Sequence, residues 1–179
     1  GVDIDQRNWT DLRTLGARVE AKKLATSSLA LTYGVDVFRD RSENTDSNTT
    51  TLVGMGPIPP DVDTVPNVPN ATYTSTGVFA QGDLALASRF SMILGARYQY
   101  VRAATEPTPN VTAPTVTSID QTVVGAASGI YRVSESVSLV GTVGRAFRSP
   151  NLVERFFNGL TPEGIAFQSP NPDLRAETS

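Results

Sequence analysis

The sequence is poor in side chains that carry out covalent chemistry. It has no cysteine and no histidine. That removes disulfides, thiolate ligands, the commonest metal ligand and the usual general base. An acid–base enzyme would have to use paired carboxylates or a lysine, and Asp61 and Asp63 sit in an exposed, proline-flanked stretch. There is no Walker loop, no glycine-rich dinucleotide fingerprint and no nucleophile elbow. No catalytic residue is assigned. Asp40, Glu43, Asn44, Asp46 and Asn48 offer the oxygen ligands that calcium takes. Their spacing is not that of an EF-hand, and a solvated acidic loop is the plainer expectation. No metal site and no cofactor is expected.

The residues best suited to contact another molecule lie near the end of the chain. The run Gly144–Arg145–Ala146–Phe147–Arg148–Ser149–Pro150 is followed by Glu154–Arg155–Phe156–Phe157 and, after a gap, by Asn171–Pro172–Asp173–Leu174–Arg175–Ala176–Glu177. Pro150 cannot donate a ladder hydrogen bond and biases Ser149 to an extended shape, so it ends a strand. Asn171–Pro172 marks a turn back into the next one. Arg148 and Glu177 then fall on strands paired across the loop, in position for an ion pair, against the blander reading of two solvated charges. Within that loop Phe156, Phe157 and Phe167 are candidate apolar contacts for a ligand.

The elements that would position these residues read as strands. From Ser28 to Asp40, Leu29, Leu31, Tyr33, Val35 and Val37 share one face. Ser28, Ala30, Thr32, Gly34, Asp36 and Asp40 take the other, interrupted only by Phe38. Similar alternation runs over Ser75–Ala87, Phe90–Arg102 and, less perfectly, Ser136–Phe147. Weaker strands are expected over Thr10–Ala21 and Ile119–Tyr131. Connections alternate in length. Lys22–Thr26, Ala87–Arg89 and Arg132–Glu135 are short; Ser42–Thr72, Ala104–Ser118 and Ser149–Asp173 are long and polar. Short turns on one side and long loops on the other describe an outer-membrane barrel, with the long side extracellular. Trp9, Tyr98, Tyr100 and Phe147 near the long-loop ends would form an aromatic girdle. The alternative from periodicity alone is a soluble β-sandwich in which the same residues form a core.

Composition fits a barrel. Charged residues are 18% of the 179, below the usual quarter, while Gly (14) and Pro (12) are frequent. No apolar run approaches the roughly 18 residues of a membrane helix, but a barrel strand needs only about 10, half of them apolar. A net charge of -3 argues against nucleic acid as a partner. The first residues, Gly1–Asp5, have neither the basic start nor the apolar stretch of a signal peptide, so an export signal would belong to a precursor, either removed from it or lying outside an internal fragment.

The paired boxes resemble those of the TonB-dependent receptor family, a Phe-Arg-Ala-Pro-like strand end and an Asn-Pro-x-Leu-x-Pro-Glu strand start. Phe147, Arg148, Pro150, Asn171, Pro172, Leu174 and Glu177 match; Ser149 and Ala176 depart. Gly77–Val78–Phe79–Ala80–Gln81 and Leu94–Gly95–Ala96–Arg97–Tyr98 resemble further strands of that family, and Tyr33–Gly34–Val35–Asp36 fits the strand before them. The resemblance implies an all-β fold: an antiparallel meander forming part of a transmembrane β-barrel. It also implies that residues 1–179 are a partial barrel, with the plug domain and the C-terminal strands lying outside. The implied function is uptake of a scarce solute across the outer membrane of a Gram-negative bacterium. The solute would be a ferric siderophore, cobalamin or a glycan, bound at extracellular loops such as Thr51–Tyr73 and Asn151–Pro170. The implied partners are outer-membrane lipid, the small-molecule ligand, and TonB through the absent N-terminal region. A haem cargo is disfavoured, because the family's axial histidine between the two boxes has no counterpart here. The alternatives are a passive small barrel or porin, which the chain length alone would suit, and a secreted β-sandwich binding module.

Overall fold

A computed structural model describes residues 2–54, 59, 61–160 and 166–179. The long strands β1 (Val2–Thr26), β2 (Leu29–Leu52), β4 (Ala71–Ala87), β5 (Phe90–Thr105), β6 (Thr117–Arg132) and β7 (Ser138–Arg145) form one antiparallel sheet in sequence order. A short β3 (Asp61–Asp63) pairs with the far part of β2. Beyond β7 come β8 (Phe147–Arg148), the single-turn helix α1 (Leu152–Phe156), β9 (Gly159–Leu160), β10 (Phe167–Gln168) and β11 (Glu177–Thr178). β11 pairs with β8, and β10 with β9. The meander is open, and its first and last long strands each have a single long-strand neighbour.

Register turns the alternation of single strands into two continuous faces. Val19, Val35, Val78, Tyr98 and Val123 are successive ladder partners across β1, β2, β4, β5 and β6. All five are exposed, by 43% to 68%. One residue along, the matching row is Arg18, Asp36, Gly77, Gln99 and Thr122. A shift of one residue would exchange the two rows, so the pairing is strongly specified if one face meets lipid and the other water. The apolar faces expected for β2, β4, β5 and β7 all fall on the same side of the sheet.

Among the described residues no second sheet covers the apolar side. Leu15, Leu86, Leu139 and Val143 on that side are also more than half exposed. The buried apolar residues are Ala71, Val101, Ala103, Ala104 and Phe156, all towards the long-loop end. A β-sandwich would bury its Leu, Val and Tyr between two sheets. That alternative is therefore overturned: this is one layer with a greasy exterior, as in a membrane barrel wall.

The height of the greasy band agrees. On β1 the outward set Ala21, Val19, Ala17 and Leu15 is bounded by Lys23 and Arg13. Those charges stand about 33 Å apart along the strand, or about 25 Å after a 40° tilt, the height of a barrel's apolar belt.

Two expectations need correction. β1 and β2 extend much further than the alternation suggested, pairing without interruption from Val2↔Leu52 down to Leu24↔Ala30. Much of the expected loop Ser42–Thr72 is therefore ladder. Glu43, Asn44, Asp46 and Asn48 are strand residues; Glu43 faces outward with Arg41, and the others face the polar side. No metal-holding group of acidic residues occurs among the described residues. Trp9 is paired with Thr45, beyond the charged rows Arg13↔Arg41 and Asp11↔Glu43. It stands clear of the apolar belt and does not join Tyr98 and Tyr100 at its margin. Residues 55–58 and 60, in the loop expected to select a ligand, lie outside the described residues.

Candidate functional site

The polar face carries one dense network at mid-sheet. Arg97 on β5 reaches across β4 to Asp36 on β2, with Nη1 to Oδ2 at 2.6 Å and Nη2 to Oδ1 at 2.7 Å. Its Nε donates to Gln99 Oε1 at 2.6 Å, and Gln99 Nε2 donates to Ser75 Oγ at 2.5 Å. Such forked pairing fixes both groups in orientation. The path across β4 is open because residue 77 is glycine; a Cβ there would lie 1.9 Å from Arg97 Nη2. Phe79 lies beside this pair, with the Arg18 guanidinium 4.5 Å and that of Arg97 5.9 Å from its ring centre. A concavity of about 510 Å³ opens on this stretch, with Phe79, Gln81 and Arg97 among its lining residues.

The long segment after β8 covers the end of the polar face. Pro150 is fully buried and ends β8, as its missing N–H requires. Asn151 then caps α1. Its side chain accepts from Glu154 N at 2.8 Å, while Glu154 Oε2 accepts from Asn151 N at 2.9 Å. These bonds and the guanidinium of Arg148 hold the Glu154 carboxyl below its ordinary range.

α1 presents two consecutive residues to the wall. Phe156 is 3% exposed and packs with Ala71 and Ala103, beside Tyr73 and Leu152. Ala71, Tyr73 and Ala103 share the polar-side parity of β4 and β5, so the segment is folded inward over the mouth. Phe38, the one break in the β2 alternation, stacks on Tyr73 with ring centres 5.9 Å apart and supports the same floor. Arg155, 2% exposed, is the clamp. Its Nη1 donates to the carbonyls of Pro172 (2.9 Å) and Leu174 (2.8 Å), and its Nη2 pairs with Asp120 on β6. Ser149 Oγ donates to the same Asp120 at 2.6 Å, and Ser118 Oγ to the Pro172 carbonyl at 2.5 Å.

The structure thus brings the two sequence boxes together. Arg148 is the ladder partner of Glu177, with Nη1 to Oε1 at 3.4 Å, and pairs more closely with Glu154. Asn171 donates its N–H to the Arg155 carbonyl at 2.8 Å, and Leu174 N closes a turn on Asn171 O at 3.2 Å. Phe147 ends the wall as the partner of Thr178. Sequence reasoning missed Arg155 and Asp120. The cap pattern Asn151-x-x-Glu154 was the available signal for a helix there. The three expected apolar contacts separate. Phe156 is committed to the fold and borders a small cleft of about 130 Å³ under the loops. Phe157 is half-buried, and Phe167 is 65% exposed.

One layer, greasy outside and polar inside, with a loop folded over one end, defines a segment of membrane β-barrel wall. The family model described as TonB dependent receptor-like, beta-barrel matches residues 2–179, and the chain belongs to that family. Its fold is also similar to that of the copper transporter OprC, at 21% identity and a TM-score of 0.69. The match covers 97% of this chain and 27% of that one, so this chain spans about a quarter of the other's length. No curated protein matches it.

Proposed function

We propose that this chain is the wall and part of the mouth of an outer-membrane receptor in a Gram-negative bacterium. The receptor imports a scarce solute with energy delivered through TonB. The plug domain, the segment that TonB contacts and the remaining strands belong to the rest of the receptor. The observation that carries the reading is the inward fold of residues 149–160 and 166–176, which are clamped to a lipid-facing wall and narrow its entrance. A passive pore has less use for a mouth covered in this way.

Family membership supports transport; the cargo is a finer matter. Ferric siderophores, cobalamin and glycans are the cargo classes we favour. Copper, the cargo named for OprC, suits Cys, Met and His ligands. This chain has neither Cys nor His; of its two methionines, Met92 faces outward with Leu94, and Met55, in the loop after β2, lies outside the described residues. Thiolate and imidazole ligands for copper would have to come from the rest of the receptor. Phe167 and Phe157, on the covering segment, supply apolar contacts to the solute; Phe156 anchors that segment from beneath.

The test is uptake by cells carrying the full receptor, using a ferric hydroxamate, a ferric catecholate, cyanocobalamin and an oligosaccharide as probes. One probe is expected to accumulate only when both the receptor and TonB are present. Phe167→Asp should reduce that uptake at limiting probe while the barrel still assembles. Uptake that is unchanged without TonB would overturn the proposal.

A further inference from the structure

The outward face changes character abruptly where the greasy band ends on the long-loop side. On β2 the parity of Leu29, Leu31, Tyr33, Val35 and Val37 continues unbroken into Arg39 and Arg41. Arg41 is the ladder partner of Arg13 on β1. Arg39 lies in one row with Leu15, Thr74 and Arg102. Four guanidinium groups on three strands therefore face outward at the band margin, with the small Thr72 and Thr74 of β4 between them. All are exposed; side-chain exposure is 72% for Arg13, 61% for Arg39 and 54% for Arg41.

Their acidic neighbours stand further from the band. Asp11 and Glu43 form the next outward row, and Glu106 lies past the end of β5. Asp11 pairs with Arg13 at 2.9 Å. Arg41 is 3.4 Å from both Glu43 and Glu106. Arg39 has a carboxylate only at 3.9 Å, and Arg102 donates to the Thr117 hydroxyl at 3.3 Å. Cations come first and anions after, with Arg39 and Arg102 the least neutralised.

We propose that Arg39 and Arg102, supported by Arg13 and Arg41, form an outward-facing seat for the phosphate of an outer-leaflet glycolipid. The proposal rests on the membrane-spanning reading above. A barrel's apolar belt ends where lipid headgroups begin, and at that level on the long-loop side the phosphorylated headgroups are those of the outer leaflet. Guanidinium groups bind phosphate through forked, charge-assisted hydrogen bonds and are weakly hydrated, which suits a half-dry boundary. Thr74, half-buried in the row between Arg39 and Arg102, is small enough to let a headgroup approach the sheet there, whereas Thr72 in the Arg41 row is buried.

The experiment uses the full receptor in neutral detergent, titrated with diphosphorylated lipid A, with its dephosphorylated counterpart and with inorganic phosphate. The double variant Arg39→Gln/Arg102→Gln should bind the phosphorylated lipid about tenfold more weakly than wild type, and the weakening should shrink at high salt. Lys23→Gln, outward at the opposite margin, should leave binding unchanged. Equal binding by wild type and the double variant, or equal binding of the dephosphorylated lipid, would overturn the seat. So would a site saturated by inorganic phosphate alone. Heat-modifiability on gels reports separately whether a barrel forms, so failure of the membrane reading is distinguishable from failure of the seat.

Discussion

Adjacent residues of β5 should respond oppositely to arginine. Leu94 faces outward, 42% exposed, between Gly82 and Ala127 in its row. Ile93 faces inward, between Asp83 and Ser128. Leu94 is the third of six outward residues, Phe90, Met92, Leu94, Ala96, Tyr98 and Tyr100, that precede Arg102 on β5, which puts it close to the middle of a belt about 25 Å tall. Leu94→Arg should therefore destabilise the assembled barrel by about 2–4 kcal/mol. Ile93→Arg introduces the same side chain at the same depth but gives it the Asp83 carboxylate and a wet interior. Its cost should stay below about 1 kcal/mol, mostly lost apolar contact. The assay is reversible urea unfolding of the receptor barrel in lipid vesicles, read by gel mobility and tryptophan emission. Equal losses, or a larger loss at Ile93, would refute the facing and the reasoning behind it.

Three further outcomes follow from the same geometry. Gly77→Val should displace Arg97 from Asp36, because its Cβ position is 1.9 Å from Nη2; a loss of about 1–3 kcal/mol is expected, and much of it should vanish in an Arg97→Ala background. Arg155→Met removes one partner of a pair whose Asp120 side chain is 14% exposed; residues 149–160 and 166–176 should loosen by about 3 kcal/mol, visible as faster amide exchange there and not in β4 or β5. The depressed Glu154 carboxyl means that the α1 cap contributes fully above the ordinary carboxylate value and weakens as pH falls through the lowered one; amide exchange in 151–157 should rise only in that acid window, and Glu154→Gln should flatten the response.

The sequence made the wall legible and the mouth mostly illegible, for a physical reason. Where one face meets lipid and the other water, each Leu, Val or Tyr must alternate with a small or polar residue, and β2, β4 and β5 show it directly. Beyond the membrane both faces are wet, so β2 from Ser42 to Leu52 shows no apolar period. It is held instead by the backbone ladder and by bonds such as Thr10 Oγ1 to Asn44 Oδ1 at 2.8 Å. The two boxes marked where strands end and begin, and the Arg148–Glu177 pairing followed from that. The inward fold of their loop did not. It depends on Phe156 meeting Ala71 and Ala103, and on Arg155 meeting Asp120 from a distant strand. No local spacing encodes those contacts.

The central claim is the facing of the sheet, and a cysteine scan of β2 in a receptor freed of any native cysteines outside this cysteine-less chain tests it directly. Single cysteines placed from Leu29 to Arg39, spin-labelled in the vesicle-embedded receptor, should alternate with a period of two. Odd positions should be reached by dissolved oxygen and even positions by a water-soluble nickel chelate, with the pattern reversing to water access at Arg39. Uniform access by the nickel chelate along the strand, or alternation in the opposite phase, would contradict the account.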